Sequence, residues 1–359
     1  MKLWQDKIKK VVPYVPGEQP KIENIVKLNT NELPYPPSPM AQKAIREFDA
    51  NNLRKYPSIT FTELKAALSD VYGVGAEQLF LGNGSDEVLA LCFQTFFNSD
   101  KPVLFPDVTY SFYDVWCDLY GIPYKRVPLD EGFNIVPSDY FGENGGIVIA
   151  NPNAPTSIYM RLSSIEDILE HNRDVIVVID EAYIDFGGTS AVSLLGKYDN
   201  LVVVQTYSKS RGLAGMRVGY AMACKELITA LSAVKDSFNS YPLDSVAQAA
   251  AAASARDTEY MKECVSKIIN TRQRLVSELD KLGFETLPSS ANFIFTTNKN
   301  ISAKELFEYL REKGVIVRYF NKPRIDAYLR ITVGTDMETD RLLEEIKNFI
   351  LNKKQEDKA

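Results

Sequence analysis

Four short segments of the sequence hold residue types that can do chemistry. In TYSKSRGLAGMRVGY, residues 206–220, Lys209 sits between two serines, just after the apolar run LVVVQ and ahead of three glycines. A lysine at the end of a buried strand is partly desolvated, which favours the neutral amine and makes it a candidate imine-forming nucleophile. Thr206, Ser208 and Arg217 in the same segment supply hydroxyls and a guanidinium of the kind that hold a phosphate. In VIVVIDEAYIDF, Asp180 follows five apolar residues and so falls at the carboxyl end of a strand, where open α/β sheets bind ligands. A carboxylate there can pair with a protonated ring nitrogen, and Tyr183 can donate to an oxyanion. An N-cap or a magnesium-binding acid fits the same placement. In FLGNGSDEVL a strand runs into Gly82, Asn83, Gly84, Ser85 and Asp86 and then a helix, whose exposed amides suit an anion. The third glycine of a dinucleotide fingerprint is missing there. NPNAPTS, residues 151–157, is a rigid turn after the run GGIVIA. Each segment taken singly also reads as a tight turn.

Together the strand ends offer a reactive lysine, a buried acid and a phosphate cradle, which is the set that pyridoxal phosphate requires. Composition narrows the field in the same direction. One histidine, His171, in 359 residues removes the Ser-His-Asp and Cys-His hydrolases unless everything rests on it, and removes zinc sites built on several imidazoles. His171 itself, in ILEHNRD, reads as a solvated or capping residue. Cys92, Cys117, Cys224 and Cys264 stand singly, so no metal site is expected and reduced thiols in a cytoplasmic setting fit best. A net charge of −6 speaks against nucleic acid as a partner. The longest β-branched run, Val175 to Ile179, is far too short to span a bilayer, and the first residues lack the apolar core of a signal peptide.

The elements that must position these residues follow in chain order. Residues 1–30, with Pro13, Pro16, Gly17 and Pro20, read as an irregular arm, and LNTNELPYPPSP continues as loop. A capping box at 60–63 is expected to open the helix of ELKAALSDVYG, and a second at 163–166 that of SIEDILEH. Apolar runs at QLFLG, KPVLFP, GGIVIAN, VIVVID, LVVVQTY and RVGYAMA alternate with helical patterns, the habit of a parallel sheet covered on both faces. Length predicts a second domain, since single cores stop growing at roughly 250–300 residues. The pattern changes after the Ala-rich SVAQAAAAASA. A long charged helix from about Asp257 to Lys281 leads into strands at FETLP, NFIFTT, VIVRYF and YLRITVG, with helices opened at Ser302 and Thr335. The division read from this is an arm (1–30), a large domain (31–255) and a small α+β domain (256–359), ending in a frayed KKQEDKA.

The ordered series GNGSDE, NPNAPTS, DEAYIDF, YSKSRGLAGMRVGY and YLRITVGT resembles the fold-type-I pyridoxal-phosphate enzymes. With YVPGEQP, LNTNE, RKYP and PSSANF it resembles, more narrowly, the histidinol-phosphate aminotransferases over nearly the whole chain. The resemblance implies an α/β fold, a large domain with a mostly parallel central sheet flanked by helices plus a smaller α+β C-terminal domain. It implies that Lys209 bonds the cofactor aldehyde and moves the proton between substrate Cα and cofactor C4′. Asp180 would keep the pyridine nitrogen protonated, Tyr183 would contact the ring oxygen and Tyr110 would stack on the ring. Gly84, Ser85, Asp86, Thr206, Ser208 and Arg217 match the positions around the cofactor phosphate. Tyr56 in RKYP resembles the tyrosine that reaches that phosphate from the neighbouring subunit, which implies a homodimer. Arg330 matches the arginine that takes the α-carboxylate, Arg318 falls where the substrate phosphate binds, and Tyr14 and Asn292 would line the substrate site. One departure stands out: Ala154 replaces the usual asparagine of the turn, so that either Asn153 contacts the ring oxygen instead or Tyr183 carries that contact alone. Arg211, in place of a commoner aromatic, is expected at the surface. The activity implied is transfer of an amino group from L-histidinol phosphate to 2-oxoglutarate in histidine biosynthesis. Threonine-phosphate decarboxylases and aromatic aminotransferases carry much the same motifs, and a non-catalytic pyridoxal-phosphate-binding protein or a nucleotide-binding α/β protein are the alternatives of another class.

Overall fold

The computed structural model describes residues 4–20 and 24–356. After a two-residue strand β1 (Val26–Lys27), the chain builds β2 (Leu79–Asn83), β3 (Val103–Pro106), β4 (Tyr124–Val127), β5 (Gly146–Ala150), β6 (Val177–Asp180), β7 (Leu201–Thr206) and β8 (Val218–Ala223). These seven, β2 to β8, form one sheet in the order β2-β8-β7-β6-β5-β3-β4. Only β8 runs antiparallel to its neighbours. All six expected runs are present as strands, and the two central ones, β6 and β7, are buried along their whole length. That is the consequence of helices on both faces, because neither side of the strand needs a polar residue. The seventh, β4, was not expected: its YKRV carries two exposed charges, as suits an edge strand.

Strand order places the chemistry. The chain leaves β3 toward β4 in one direction and β5 toward β6 in the other, and ligands bind at such a reversal, outside the carboxyl ends of the strands. The segments after β2, β3, β5, β6 and β7, and the entry to the reversed β8, all lie at that edge. Gly219 makes the junction possible: a Cβ there would stand 2.3 Å from both the Gly84 carbonyl carbon and the Ser85 nitrogen. Gly84 has φ +80°, which favours glycine, and a Cβ on it would press on the Arg217 guanidinium.

The Ala-rich helix Ser245–Arg256 buries Ala247, Ala250, Ala251 and Ala255 and packs closely on the helices Pro39–Arg46 and Thr62–Tyr72. Beyond the long helix Thr258–Lys281 come β9 (Glu285–Thr286), β10 (Phe293–Thr297), β11 (Val315–Ile316), β12 (Arg318–Tyr319) and β13 (Tyr328–Thr332). Four of these form an antiparallel sheet in the order β12-β13-β10-β9. Its own core includes Leu275, Ile294, Leu306, Leu310, Ile331 and Ile346.

Several expectations need correction. The arm is not irregular throughout: β1 pairs in parallel with β11, and Val26 and Leu28 are buried in the core of the C-terminal unit. The box at 60–63 does not cap. Phe61 holds the N-cap position at φ +52° with its ring buried, so Thr60 lies one residue too early. At the second box the helix starts at Leu162, which puts Ser163 inside it. Ser302 and Thr335 do cap: Ser302 Oγ accepts from the Glu305 amide, and Thr335 and Glu338 satisfy each other's backbone amides. The last helix, Asp336–Glu356, runs through most of the expected frayed tail, whose final residues lie outside the described part. Among the described residues no helix is long and apolar enough to cross a membrane, and no cluster of His, Cys, Asp and Glu is arranged to hold a metal.

Candidate active site

A cavity of about 650 Å³ lies between the edge of the large sheet and the small one, and Lys209, Asp180, Tyr183, Ser85, Asp86, Tyr110, Thr206, Ser208, Arg217, Tyr14, Arg318 and Arg330 all line it. Twelve of the sixteen expected site residues thus converge from segments more than 300 residues apart in the chain, Tyr14 to Arg330.

Asp180 is 5% exposed. Tyr113 donates its hydroxyl to Asp180 Oδ2 at 2.9 Å, and the Ala182 amide donates to Oδ1 at 3.3 Å. Burial nevertheless outweighs both and lifts the carboxyl to about 6, with Asp86 adding to the rise and Lys209 opposing it. The Lys209 ammonium donates to the Thr30 carbonyl at 3.2 Å and sits 5.5 Å from the centre of the Tyr183 ring. The Tyr183 hydroxyl accepts from Asn31 Nδ2 at 3.0 Å, which leaves its own proton to be donated. Asn31 is held in turn by Thr332, which donates to its side chain, and by Asn292, which donates to its carbonyl.

The start of the helix Gly84–Phe96 carries Ser85 and Asp86, with its first-turn amides beside them. Arg217 enters from the other side at φ +54°, a left-handed conformation that is costly for an arginine, and pairs with Asp86 at 3.1 Å. Tyr110 donates to the same carboxylate at 2.8 Å. Burial, then the charge on Asp86, push the Tyr110 phenol well above its ordinary value, so it stays a donor. Thr206 and Ser208, both buried, hydrogen-bond to each other at 3.0 Å.

On the opposite wall Arg318 and Arg330 are register partners on β12 and β13. Like charges placed directly across a ladder destabilise it. Arg330 donates to the Asn29 carbonyl at 2.7 Å while its buried Nε has no partner, and burial pulls its guanidinium below the ordinary arginine value. Tyr14 stacks on Phe112 at 4.2 Å beneath them, its phenol raised by burial against the pull of both arginines.

Four expected residues do not line the cavity. Gly84 supplies backbone geometry rather than a surface. Asn292 is buried behind Asn31, and its Oδ1 has no partner. Asn153 does not substitute for the missing asparagine at 154: its amide donates to the Val108 carbonyl and to Thr156, both at 2.9 Å, and its oxygen accepts from Thr109. All its capacity goes into bracing the turn. Tyr56 is 81% exposed and stacks on Tyr241 at 4.6 Å, away from this cavity. Arg211 reverses its expectation. It is 5% exposed, donates to the Ser254 carbonyl at 2.6 Å and lies 5.4 Å over the Tyr207 ring, filling space that the Ala-rich helix leaves open. His171 is exposed and caps its own helix by a contact with the Asp167 carbonyl. Sequence reasoning missed Tyr113, Asn31 and Phe320. Two signals were available: Tyr113 follows Tyr110 by three residues, across the turn that enters the helix Phe112–Tyr120, and Asn31 lies in the LNTNE segment.

A buried acid, a lysine, a helix start and two opposed arginines thus meet around one cavity. The chain belongs to the aminotransferase class I and II family, whose model matches residues 23–346. Within it, the relatives are named histidinol-phosphate aminotransferases. The chain is 55% identical to that of Acinetobacter baylyi over 353 residues, 98% of each chain. It is 51% identical to that of Lactococcus lactis over 350 residues, again 98% of each. The solved histidinol-phosphate aminotransferase of Clostridium acetobutylicum shares the fold, with a TM-score of 0.84 over 91% of this chain and 99% of that one at 24% identity. An L-threonine-O-3-phosphate decarboxylase from Porphyromonas gingivalis also shares it, at 0.78 over 91% of this chain and 99% of that one and 22% identity, so fold alone does not select the reaction. The resemblance read from the motifs and the expected fold class are borne out.

Proposed function

We propose that the protein uses pyridoxal 5′-phosphate to move the amino group of L-histidinol phosphate to 2-oxoglutarate, giving imidazole-acetol phosphate and glutamate. The observation that carries this reading is the convergence of Lys209 and the buried Asp180 on one cavity whose far wall holds two opposed arginines. Residues and cofactor suit each other. The close backbone approach at Gly84 and Gly219 brings the Arg217 guanidinium against the start of the helix Gly84–Phe96, beside first-turn amides that suit an anion, and Arg330 Nε is a buried donor without an acceptor. When bound, the cofactor supplies an electron sink for the carbanion formed at the substrate Cα.

This chain's own groups would divide the remaining work. Ser85, Ser208 and Arg217 hold the cofactor phosphate, with Thr206 supporting Ser208 and Asp86 orienting Arg217. Asp180, kept from water, presents its charge to the ring nitrogen, where a cationic partner would bring its raised carboxyl back to the ionised form. Tyr183 donates to the ring oxygen in place of the absent asparagine, and Tyr110 covers one face of the ring. The Lys209 amine would take the proton from the substrate Cα and return it at the cofactor's C4′. Arg330 binds the α-carboxylate of glutamate as a fork, and Arg318 meets the phosphate of the other substrate.

A homodimer follows from the same reading. Tyr56 and Tyr241 lie exposed, with Leu53, Ile59 and Phe238 also exposed in the adjoining segments, an apolar surface that suits a partner subunit. We assign 31–255 to a large unit and 256–359 to a small one, the latter completed by β1. The four unpaired cysteines support a cytoplasmic setting.

The test is glutamate formation from L-histidinol phosphate and 2-oxoglutarate, with CO₂ release from threonine phosphate followed in parallel. Release of CO₂ without glutamate would replace the transaminase reading by a decarboxylase. A visible spectrum, then borohydride reduction and peptide mapping, checks the cofactor and the lysine. A label on any residue but Lys209 removes the site assignment.

A further inference from the structure

The loop joining β12 to β13, residues 320–327, does more than connect two strands. Phe320 lies against both opposed arginines, with the guanidinium carbons of Arg318 and Arg330 5.4 and 5.6 Å from its ring centre. A ring shared by two cations attracts each of them and fixes their spacing. Whatever holds Phe320 therefore holds the aim of both arginines.

Four residues further on, Arg324 leaves this loop and enters the loops of the large sheet. Its Nη1 lies 2.6 Å from Asp107 Oδ2, and its Nη2 donates to the carbonyls of Leu129 and Asp130 at 3.0 and 2.8 Å. The guanidinium also sits 5.2 Å over the Phe133 ring. Asp107 is itself fixed: its amide donates to the Val127 carbonyl and its Oδ1 accepts from the Leu129 amide, both at 2.9 Å. Ile325, next in the chain, is buried in one cluster with Val108, Leu129, Phe133 and Phe295. Arg324 holds φ +69°, a conformation that L residues rarely adopt, so several contacts must outweigh the backbone cost. The Asp107 end is equally close to the cavity, because Thr109 and Tyr110, two and three residues on, line it.

We propose that Arg324 and Asp107 form a clasp that positions the anion-binding arginines. It ties the loop bearing Tyr110 to the loop bearing Phe320, and thereby sets Arg318 and Arg330 at their working distance across the cavity. The proposal rests on the reading of those two arginines as ligands for anionic groups. Nothing in the clasp touches the reacting atoms, so its loss weakens binding and leaves the chemical step alone.

The test uses the holoenzyme and its Arg324→Ala, Arg324→Lys and Asp107→Asn variants, with maleate as a non-reacting dicarboxylate. Calorimetric affinity for maleate, KM and kcat for both substrates, the thermal midpoint and hydrogen exchange over residues 318–330 are measured on each. For Arg324→Ala the affinity should fall and both KM values rise roughly tenfold, with kcat within about twofold, as expected for displaced binding groups. Arg324→Lys, which reaches fewer acceptors, should fall between, and an Arg324→Ala/Asp107→Asn double variant should be no worse than Arg324→Ala alone. A lowered thermal midpoint with unchanged maleate affinity and KM overturns the proposal, because the contact would then serve stability only. If the wild type binds no maleate, the anion reading fails instead. Exchange then decides the clasp on its own, and unchanged exchange at 318–330 in Arg324→Ala overturns it.

Discussion

Replacing Asp180 by asparagine separates the two consequences of burying that acid. Burial raises the carboxyl from 3.8 to about 6, although Tyr113 and the Ala182 amide both favour the anion. A carboxyl raised by folding contributes fully below its unfolded value, and that stability is lost as pH rises through the folded value, here about 6. A shift of about two units corresponds to about 3 kcal/mol in all, of which about 2 kcal/mol develops between pH 4.5 and 7.5. Asparagine has no charge to desolvate and keeps an oxygen for Tyr113. The cofactor-free Asp180→Asn protein should therefore gain about 2 kcal/mol on the wild type between those pH values, read from urea unfolding at each. Glu181, raised by its burial to about 7, is common to both proteins and cancels. With cofactor the sign reverses, because a charge-assisted hydrogen bond to the ring is lost. Cofactor Kd should rise by the equivalent of roughly 1.5–3 kcal/mol, or about 10- to 150-fold. A stability difference that stays flat with pH would refute the claim that Asp180 ionises at a cost within the fold.

Three further outcomes are expected. Lys209→Ala should lower kcat by roughly 10²–10⁴-fold or more while the protein still folds, and borohydride should no longer fix the cofactor to the chain; retained turnover would remove the lysine from the mechanism. Gly219→Ala would set a methyl 2.3 Å from two backbone atoms. It should cost about 1–3 kcal/mol in chemical denaturation and weaken cofactor binding, whereas a neutral result would show that the strand and helix start can part without penalty. Mixing inactive Lys209→Ala and Tyr56→Ala proteins under subunit exchange should restore roughly a quarter of wild-type activity, since half the dimers are mixed and each holds one intact site. No recovery would mean that Tyr56 serves its own subunit.

The large sheet was legible because its central strands are buried on both faces, so their sequences are unbroken apolar runs. The edge strand β4 was not, because YKRV obeys its solvent exposure rather than a core. The site was legible wherever a strand end carries it, as at Asp180, Lys209 and Arg217. It was not where the residue owes its place to a distant element. Arg211 lies between a serine and a glycine and looks solvated, yet its partner is the Ser254 carbonyl on an Ala-rich helix 43 residues away. Asn153 fails for the opposite reason. Its neighbours Val108, Thr109 and Thr156 use every polar atom it has, and local sequence does not record that competition. The capping boxes divide on one point, whether the first residue stands directly at the helix entry, and a shift of one residue is enough to defeat the pattern.

The costs built into the site are informative in themselves. An acid buried at a net cost, two arginines across a ladder and an arginine in left-handed conformation each work against stability. Their pairing among the described residues is incomplete: burial still raises Asp180 despite Lys209, Arg217 meets Asp86 and the Ala214 carbonyl, and Arg330 keeps a buried donor free. The deficits have a definite order, cationic at the helix start, anionic at the end of β6 and cationic again on the small sheet. A ligand that relieves all three must carry an anion at one end, a protonated nitrogen between and an anion at the other. The cofactor bonded to an acidic substrate has that sequence of charges. A nucleotide, with its phosphates at one end only, leaves either Asp180 or the paired arginines unrelieved.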